Sequence, residues 1–230
     1  MTDNTIQLFS LLQEKSLLKQ DVYRKTLSTF KRIREIIFVI SKDYAEYSNQ
    51  MGTTIPFQVK DKSEFEIELH FGGDILLFMM HTNIFEFSRE HEVMKTHYIR
   101  ENKSRSYCGV INIYNFLADS FKYNRINDLG YLIGRIFINN ELHYFIEGKR
   151  EIGYLYQNFA TSIVDEQSLR AIIESAIMYT LKFDLLTPPF DAVKEVSIFD
   201  IQNTSEYMKL RTGKRLGFKF QGDHDEISDL

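Results

Sequence analysis

Hydrophobic and polar positions change their spacing near residue 50, from a helical repeat to a two-residue repeat. The first fifty residues predict an amphipathic helix over 5–19 and a second, longer helix that Asp21 caps. Steps of 3, 4, 3, 4 and 3 residues separate the apolar positions of the second helix, which are Phe30, Ile33, Ile37, Ile40, Tyr44 and Tyr47. Such a seam packs against another element, either in its own domain or across a dimer.

Alternation over residues 64–71 predicts a half-buried strand whose polar face carries Glu64, Glu66, Glu68 and His70. The turn Gly72-Gly73-Asp74 leads into a partner strand over 75–81. Asn140-Glu141 is a second predicted hairpin turn, and a helix begins after Asp165. Further strands are predicted over 107–116, 129–139, 142–148, 151–159 and 193–201.

Short connections between most of these strands predict an α+β fold. We expect an antiparallel sheet of about five to seven strands with helices on one face, preceded by an N-terminal helical segment. The expected divisions are a helical segment over 1–50, a sheet domain over 51–202 and a basic then acidic tail over 203–230. This element order resembles that of PAS-like and GAF-like sensor modules, whose flanking helices dimerise, although no residue motif of either family occurs.

Composition fits an ordinary globular protein, with 43% hydrophobic and 26% charged residues and a net charge of −4. The single cysteine, Cys108, excludes an internal disulfide framework and fits a reducing compartment. The longest apolar runs, such as 75–80, are much shorter than a bilayer requires. The first residues lack the basic leader of a secretory signal. We therefore expect a cytoplasmic protein without a membrane partner.

Residues 88–98 read SREHEVMKTHY and place two histidines beside two glutamates. A zincin site needs histidines four residues apart on one helix, whereas His91 and His97 are six apart. That spacing leaves the imidazoles roughly 120° apart around a helix, or about 20 Å apart along a strand. We therefore predict no metal and interpret the segment as a polar connector. The alternative is an irregular loop site completed by His81 or Glu90.

Other candidate chemistry has a simpler explanation. Glu64, Glu66 and Glu68 lie about 7 Å apart on one predicted strand face, a separation that acid and base carboxylates use in glycosidases. The wet face of an amphipathic strand explains them without catalysis, and we favour it. Cys108 begins an apolar strand, so we predict a buried small hydrophobe rather than a nucleophile. Nucleophile-elbow, phosphate-loop and dinucleotide motifs do not occur in the sequence, and no cofactor is predicted.

Two polar residues interrupt apolar strands: Asn112 in GVINIYNF and Arg135 in YLIGRIFIN. On a buried face they would need partners, and a ligand is one such partner. Arg135 would then clamp a carboxylate or phosphate. With Tyr144 they form a predicted ligand site, and solvent exposure of both polar side chains is the favoured alternative.

The C-terminal tail has a sharp charge reversal. Its basic part interleaves aliphatic and aromatic residues with the candidate anion-binding residues Lys209, Arg211, Lys214, Arg215 and Lys219. Basic residues among aromatics bind nucleic acid through phosphates and stacking. The sequence pI of about 5.9 disfavours nucleic acid as a partner, and a small hairpin or flexible tail is the simpler interpretation.

Three classes of function follow from these patterns. We predict a non-catalytic interaction or small-ligand sensor module that forms a homodimer through its N-terminal helices. An enzyme with catalytic residues dispersed around a sheet pocket is the second hypothesis. Anion or nucleic-acid binding through the tail is the third. An interaction module should expose its seam or an aromatic patch, whereas a sensor or enzyme should have a concave pocket with convergent polar groups.

Overall fold

The N-terminal residues form one long helix, α1 (Asp3–Met51). The computed structural model describes residues 2–52, 55–149, 152, 158–183, 187 and 189–199. The predicted break at Asp21 is wrong, because this carboxylate lies inside the helix and accepts a hydrogen bond from Lys25 Nζ at 2.9 Å. Neither glycine nor proline occurs between Asp3 and Met51, so the helix continues until Gly52 ends it with φ at 66°.

Within the described residues, seven antiparallel strands form one sheet, which confirms the predicted α+β class. Their order across the sheet is β1-β2-β3-β5-β6-β7, and the short β4 pairs with β5. The strands are β1 (Phe57–Ser63), β2 (Glu66–Phe71), β3 (Asp74–Met80), β4 (Phe85–Glu86), β5 (Tyr107–Leu117), β6 (Tyr131–Asn139) and β7 (Tyr144–Gly148).

The described chain also contains two 3-10 helices, Glu92–Lys95 and Lys103–Ser106, and four shorter α-helices. They are α2 (His97–Glu101), α3 (Ala118–Lys122), α4 (Glu166–Leu181) and α5 (Phe190–Val193). The predicted start of α4 is confirmed, because the Asp165 side chain accepts from the Ser168 amide at 2.7 Å in a capping box.

The observed strands differ from those predicted at β1 and over 193–199. The edge strand β1 is additional, because its alternating Lys and Asp residues hide the apolar repeat. The predicted strand over 193–201 is wrong for the described residues 193–199, where α5 ends and extended pairing does not follow. Most of the predicted strand over 151–159 lies outside the described residues.

Helices α1 and α4 cover one face of the sheet, as predicted. Phe30, Ile33, Ile37 and Ile40 of the predicted seam are buried in this core, so this part of the seam packs within its own chain, whereas Tyr47 is exposed. An ion pair between Arg170 Nη2 and Asp43 Oδ2 at 2.8 Å joins the two helices at the surface. Helix α1 therefore shares one apolar core with the sheet.

Helix α1 lies very close to the sheet at Thr26 and Gly109. Thr26 is fully buried, and a Cβ atom added to Gly109 would lie 2.0 Å from its Oγ1. The Thr26 hydroxyl donates back to the Val22 carbonyl at 2.8 Å, which satisfies its polar group without a sheet partner. Glycine at 109 therefore sets the distance between α1 and β5.

The first part of α1 extends beyond this contact. Every residue from Ile6 to Lys15 is exposed, and we call this stretch the projecting segment. It ends where Lys15 Nζ donates to the Tyr107 hydroxyl at 2.8 Å, at the start of β5. Its ten residues span about 15 Å of helix at about 1.5 Å per residue.

We expect Gly109→Ala to lower the free energy of unfolding by at least about 2 kcal/mol, because the new methyl group overlaps Thr26. Gly73→Ala is the matched control, since a Cβ atom there meets open space. Combining Gly109→Ala with Thr26→Gly removes the overlap, at a helix-propensity cost of about 1 kcal/mol. Urea denaturation should therefore find the double variant more stable than Gly109→Ala alone. Equal effects of Gly109→Ala and Gly73→Ala would contradict this packing.

Candidate functional site

The structure brings together two of the three predicted ligand residues. Asn112 and Arg135 are directly opposite each other on β5 and β6, on the face of the sheet away from α1. Tyr144 is buried on the other face, in the core beneath α1 and α4. These three side chains therefore do not line one pocket.

A one-residue difference in the β6–β7 turn explains the position of Tyr144. A two-residue turn at Asn140-Glu141 would pair Arg135 with residue 146 and place Tyr144 on its face. The observed turn is longer, with Leu142 at φ 61°, and it pairs Arg135 with Glu147. Because side chains alternate along a strand, this shift moves Tyr144 to the opposite face.

Arg135 already has an ionic partner in the chain. Its guanidinium binds the Glu147 carboxylate on β7 and lies 5.3 Å from the centre of the Phe137 ring. His91 Nε2 is 2.8 Å from the second Glu147 oxygen, and His91 Nδ1 accepts from the Val93 amide. The proton of a neutral His91 is therefore on Nε2, where it is donated to Glu147. Arg135, Glu147 and His91 form a bridge from the sheet to the segment above it.

The two histidines of SREHEVMKTHY have separate surroundings. His91 belongs to the bridge just described, whereas His97 is 87% exposed, with Nδ1 3.2 Å from Glu101 Oε1. Within the described ranges, no group of three His, Cys, Asp or Glu side chains has the arrangement of a metal site.

The segment over 85–106, which we call the cover, packs on a second apolar cluster, on the face of the sheet away from α1. This cluster comprises Tyr98, Ile99, Cys108, Val110, Phe137, Phe145 and Phe159. Phe87 of the cover is 5.0 Å from the Phe137 ring and 5.5 Å from the Phe145 ring. The polar connector predicted from the sequence thus has an apolar side that closes this part of the core.

A second polar cluster fixes the other end of the cover. The buried Asn139 donates from Nδ2 to the Tyr98 hydroxyl at 2.9 Å, and Tyr98 donates to Glu141 Oε2 at 2.9 Å. Arg105 Nε donates to the other Glu141 oxygen at 2.9 Å, and its guanidinium lies 4.3 Å from the Tyr98 ring centre. His143 stacks on Tyr98 with 5.0 Å between ring centres. The contacts of Tyr98 and Arg105 with Asn139, Glu141 and His143 join the cover to the β6–β7 turn.

The electrostatics of this cluster follow from burial and charge pairing. Burial raises the pKa of Tyr98 to about 12, and the Glu141 carboxylate contributes to that rise. Although burial opposes it, hydrogen bonds from Arg105 and Tyr98 lower the pKa of Glu141. The hydrogen bond to Glu141 raises the pKa of Arg105. The cluster therefore keeps a neutral tyrosine between an anion and a cation at neutral pH.

Cys108 is fully buried in β5, and burial raises the pKa of its thiol above the usual range. A thiol that stays protonated is a poor nucleophile, in agreement with the expected buried hydrophobe. Glu68, predicted on a wet strand face, is only 2% exposed. Lys62 and His70 hold its carboxylate, at 3.2 Å and 2.7 Å.

Sequence reasoning missed two surfaces. The exposed leucines of the projecting segment have an ordinary amphipathic pattern, and only the position of the sheet shows that they lie beyond it. Lys60 and Lys62 are on β1, the strand that the pattern did not reveal. The predicted anion-binding residues of the tail lie outside the described residues: Lys209, Arg211, Lys214, Arg215 and Lys219.

Among the described residues, no helix has the length and apolar character needed to cross a membrane. Comparison with known proteins gives no match among family models, curated proteins or solved structures.

We expect Tyr98→Phe to lower the free energy of unfolding by about 1–3 kcal/mol, because the variant leaves the buried Asn139 amide without its close acceptor. Tyr47→Phe is the matched control, since Tyr47 is 57% exposed. Chemical denaturation of both variants measures the difference. Equal stability of the two variants would show that the cluster does not hold the cover.

The raised pKa of Tyr98 also predicts a pH dependence. The unfolded chain releases this proton near the ordinary value of 10.0, whereas the folded chain keeps it to about 12. Unfolding therefore becomes more favourable as pH rises through this window. The stability difference between the wild-type protein and Tyr98→Phe should narrow from pH 10 to pH 12. A constant difference across that range, measured by urea denaturation, would contradict the assigned burial.

Proposed function

We propose that the protein is a non-catalytic interaction module that self-associates through the projecting segment of α1. The observation that carries this proposal is the apolar surface of that segment. Five large apolar side chains there are 45–61% exposed: Ile6, Leu8, Phe9, Leu11 and Leu12. Clustered apolar side chains on a protein surface mark interaction sites, whereas single exposed ones need no explanation.

The stripe formed by Leu8, Leu11 and Leu12 supports self-association. It continues, in steps of three or four residues, the helix face that packs onto the sheet from Val22 to Ile40. An apolar helix face of this width is typical of a surface against which a second helix packs. The proposed occupant is the same stripe of a second copy of the chain.

Charge favours an antiparallel pair. Asp3 lies just before the segment, whereas Lys15 and Lys19 outnumber Glu14 at or just beyond its end. Two antiparallel copies bring the acidic end of one beside the basic end of the other, and their helix dipoles oppose. Parallel copies would place like charges side by side.

The apolar surface also sets the expected strength of the pair. Two copies contribute ten large side chains, five from each segment. Burying half of that surface supplies about 7–15 kcal/mol, against an association cost of about 4–15 kcal/mol. Because the two ranges are similar, we expect a reversible dimer that depends on concentration.

The polar clusters support a non-catalytic role. The side chains of Arg135, Glu147 and His91 bind one another, and so do those of Tyr98 and Glu141. Their described contacts hold the cover in place, which accounts for these residue types without a substrate. The proposed location is the cytoplasm, which suits a chain with one cysteine.

Sedimentation velocity over a range from low to high micromolar concentration tests the proposal. The wild-type protein should pass from monomer to dimer, and Leu8→Lys with Leu12→Lys should weaken the dimer at least about 100-fold, since two apolar side chains per copy are lost. Ser10→Lys with Gln13→Lys is the control, because it adds equal charge on the opposite side of the exposed helix.

Circular dichroism should give the same melting temperature for the monomeric forms of both double variants, since the substituted residues are exposed. A wild-type protein that is monomeric throughout the concentration range would overturn the proposal. So would a dimer that the Leu8 and Leu12 substitutions leave unchanged.

A further inference from the structure

A groove of about 540 Å³ opens on the face of the sheet opposite α1. Its walls are β1 and β2 on one side, the turn at Gly72 below, and α3 on the other side. This volume lies within the range of about 300–1,000 Å³ typical of small-ligand sites. The groove is separate from the projecting segment, so it adds to the proposed function rather than resting on it.

Lysines dominate the charge of the groove. Lys60, Lys62 and Lys122 line it, against the carboxylates of Glu68 and Asp74. Both carboxylates are engaged by the chain, Glu68 with Lys62 and His70, and Asp74 with Asn115 Nδ2 at 3.2 Å. Asn115 is neutral and leaves the Asp74 charge in place, so the three lysines exceed the two carboxylates by one positive charge.

The buried Glu68 orients two of the groove's polar groups. Its two oxygens hold Lys62 Nζ at 3.2 Å and His70 Nε2 at 2.7 Å, and its side chain is 2% exposed. A carboxylate buried to this extent acts as a fixed support for the Lys62 ammonium and the His70 imidazole. Lys62 and His70 are thereby positioned before any ligand arrives.

Lys60 has no acid partner within the described part of the chain. It is directly opposite Glu68 in the β1–β2 register, but the Glu68 oxygens bind Lys62 and His70 instead. Lys122 lies across the groove at the end of α3, 4.9 Å from the centre of the neighbouring Tyr123 ring. Lys122 also hydrogen-bonds the Tyr123 side chain and lies near the Asp119 carboxylate, so Lys60 is the less engaged of the two ammonium groups at the opening.

An aromatic side chain stands beside the charges. Phe121 lines the groove and is 42% exposed, and its ring meets Phe116 edge to face at 5.3 Å between centres. The contact with Phe116 fixes the ring while one side remains uncovered. A flat apolar group can pack there next to the lysines.

We propose that this groove binds a small aromatic anion. Lys60 and Lys122 bind its carboxylate or phosphate group, and Phe121 packs against its ring. Lys62 and His70, fixed by Glu68, complete the polar wall of the groove.

Four probes distinguish the contribution of the anionic group to binding from that of the aromatic ring. They are phenyl phosphate, benzoate, benzyl alcohol and inorganic phosphate. Nuclear magnetic resonance titration of the full-length protein measures their affinities and the residues that respond. We expect phenyl phosphate or benzoate to bind best, and the stronger of the two identifies the anionic group. Lys60→Gln with Lys122→Gln should weaken that binding about tenfold. Phe121→Ala should lower the affinity to that of inorganic phosphate, which has no ring, or to that of the weakest probe.

Lys103→Gln is the control, because Lys103 is an exposed lysine of the cover and does not line the groove. Lys60 is exposed as well, so its loss should leave the fold intact, which the unchanged spectrum of the remaining residues checks. Three results would overturn the proposal. The first is that neither aromatic anion saturates the protein at 10 millimolar. The second is that benzyl alcohol binds as tightly as the aromatic anions. The third is that the double lysine variant binds the preferred anion as tightly as the wild-type protein.

Discussion

The contact of Thr26 on α1 with Gly109 on β5 is the constraint on which the rest of the structure depends. It places the helix axis close enough to the sheet for the seam residues to enter the core, with the helix hydroxyl satisfied inside α1 itself. Because α1 is one uninterrupted helix, fixing it at this point also fixes where its first part leaves the sheet. The exposure of the projecting segment is thus a consequence of core packing.

The two faces of the sheet are closed in different ways. One lies under two long helices and an apolar core, and part of the other lies under the irregular cover. Two polar clusters, one at Glu147 and one at Tyr98, hold the cover where regular secondary structure does not. The strands that the cover leaves open form the lysine groove. The face under α1 and α4 is thus filled by apolar core, whereas the opposite face has a polar groove beside the cover.

Local patterns predicted most elements, because alternation at 64–71 and the cap at Asp165 depend only on neighbours in sequence. Relations between elements were harder to predict. The unbroken helix through Asp21 follows from tertiary packing and the absence of a breaker, which outweigh a good capping residue. The face on which Tyr144 lies depends on one residue in a turn, with Leu142 in a conformation that leucine rarely adopts. A candidate site built from several strands therefore has different members when the register shifts by one residue.

Hydrogen exchange along α1, measured at low and high protein concentration, tests most directly the claim that one helix serves both the core and an association surface. Amides from Val22 to Ile40 should exchange slowly at every concentration, because they are held by the core. Amides of the projecting segment should exchange fast in dilute protein and become protected as concentration rises. Protection of that segment that does not change with concentration would contradict the account.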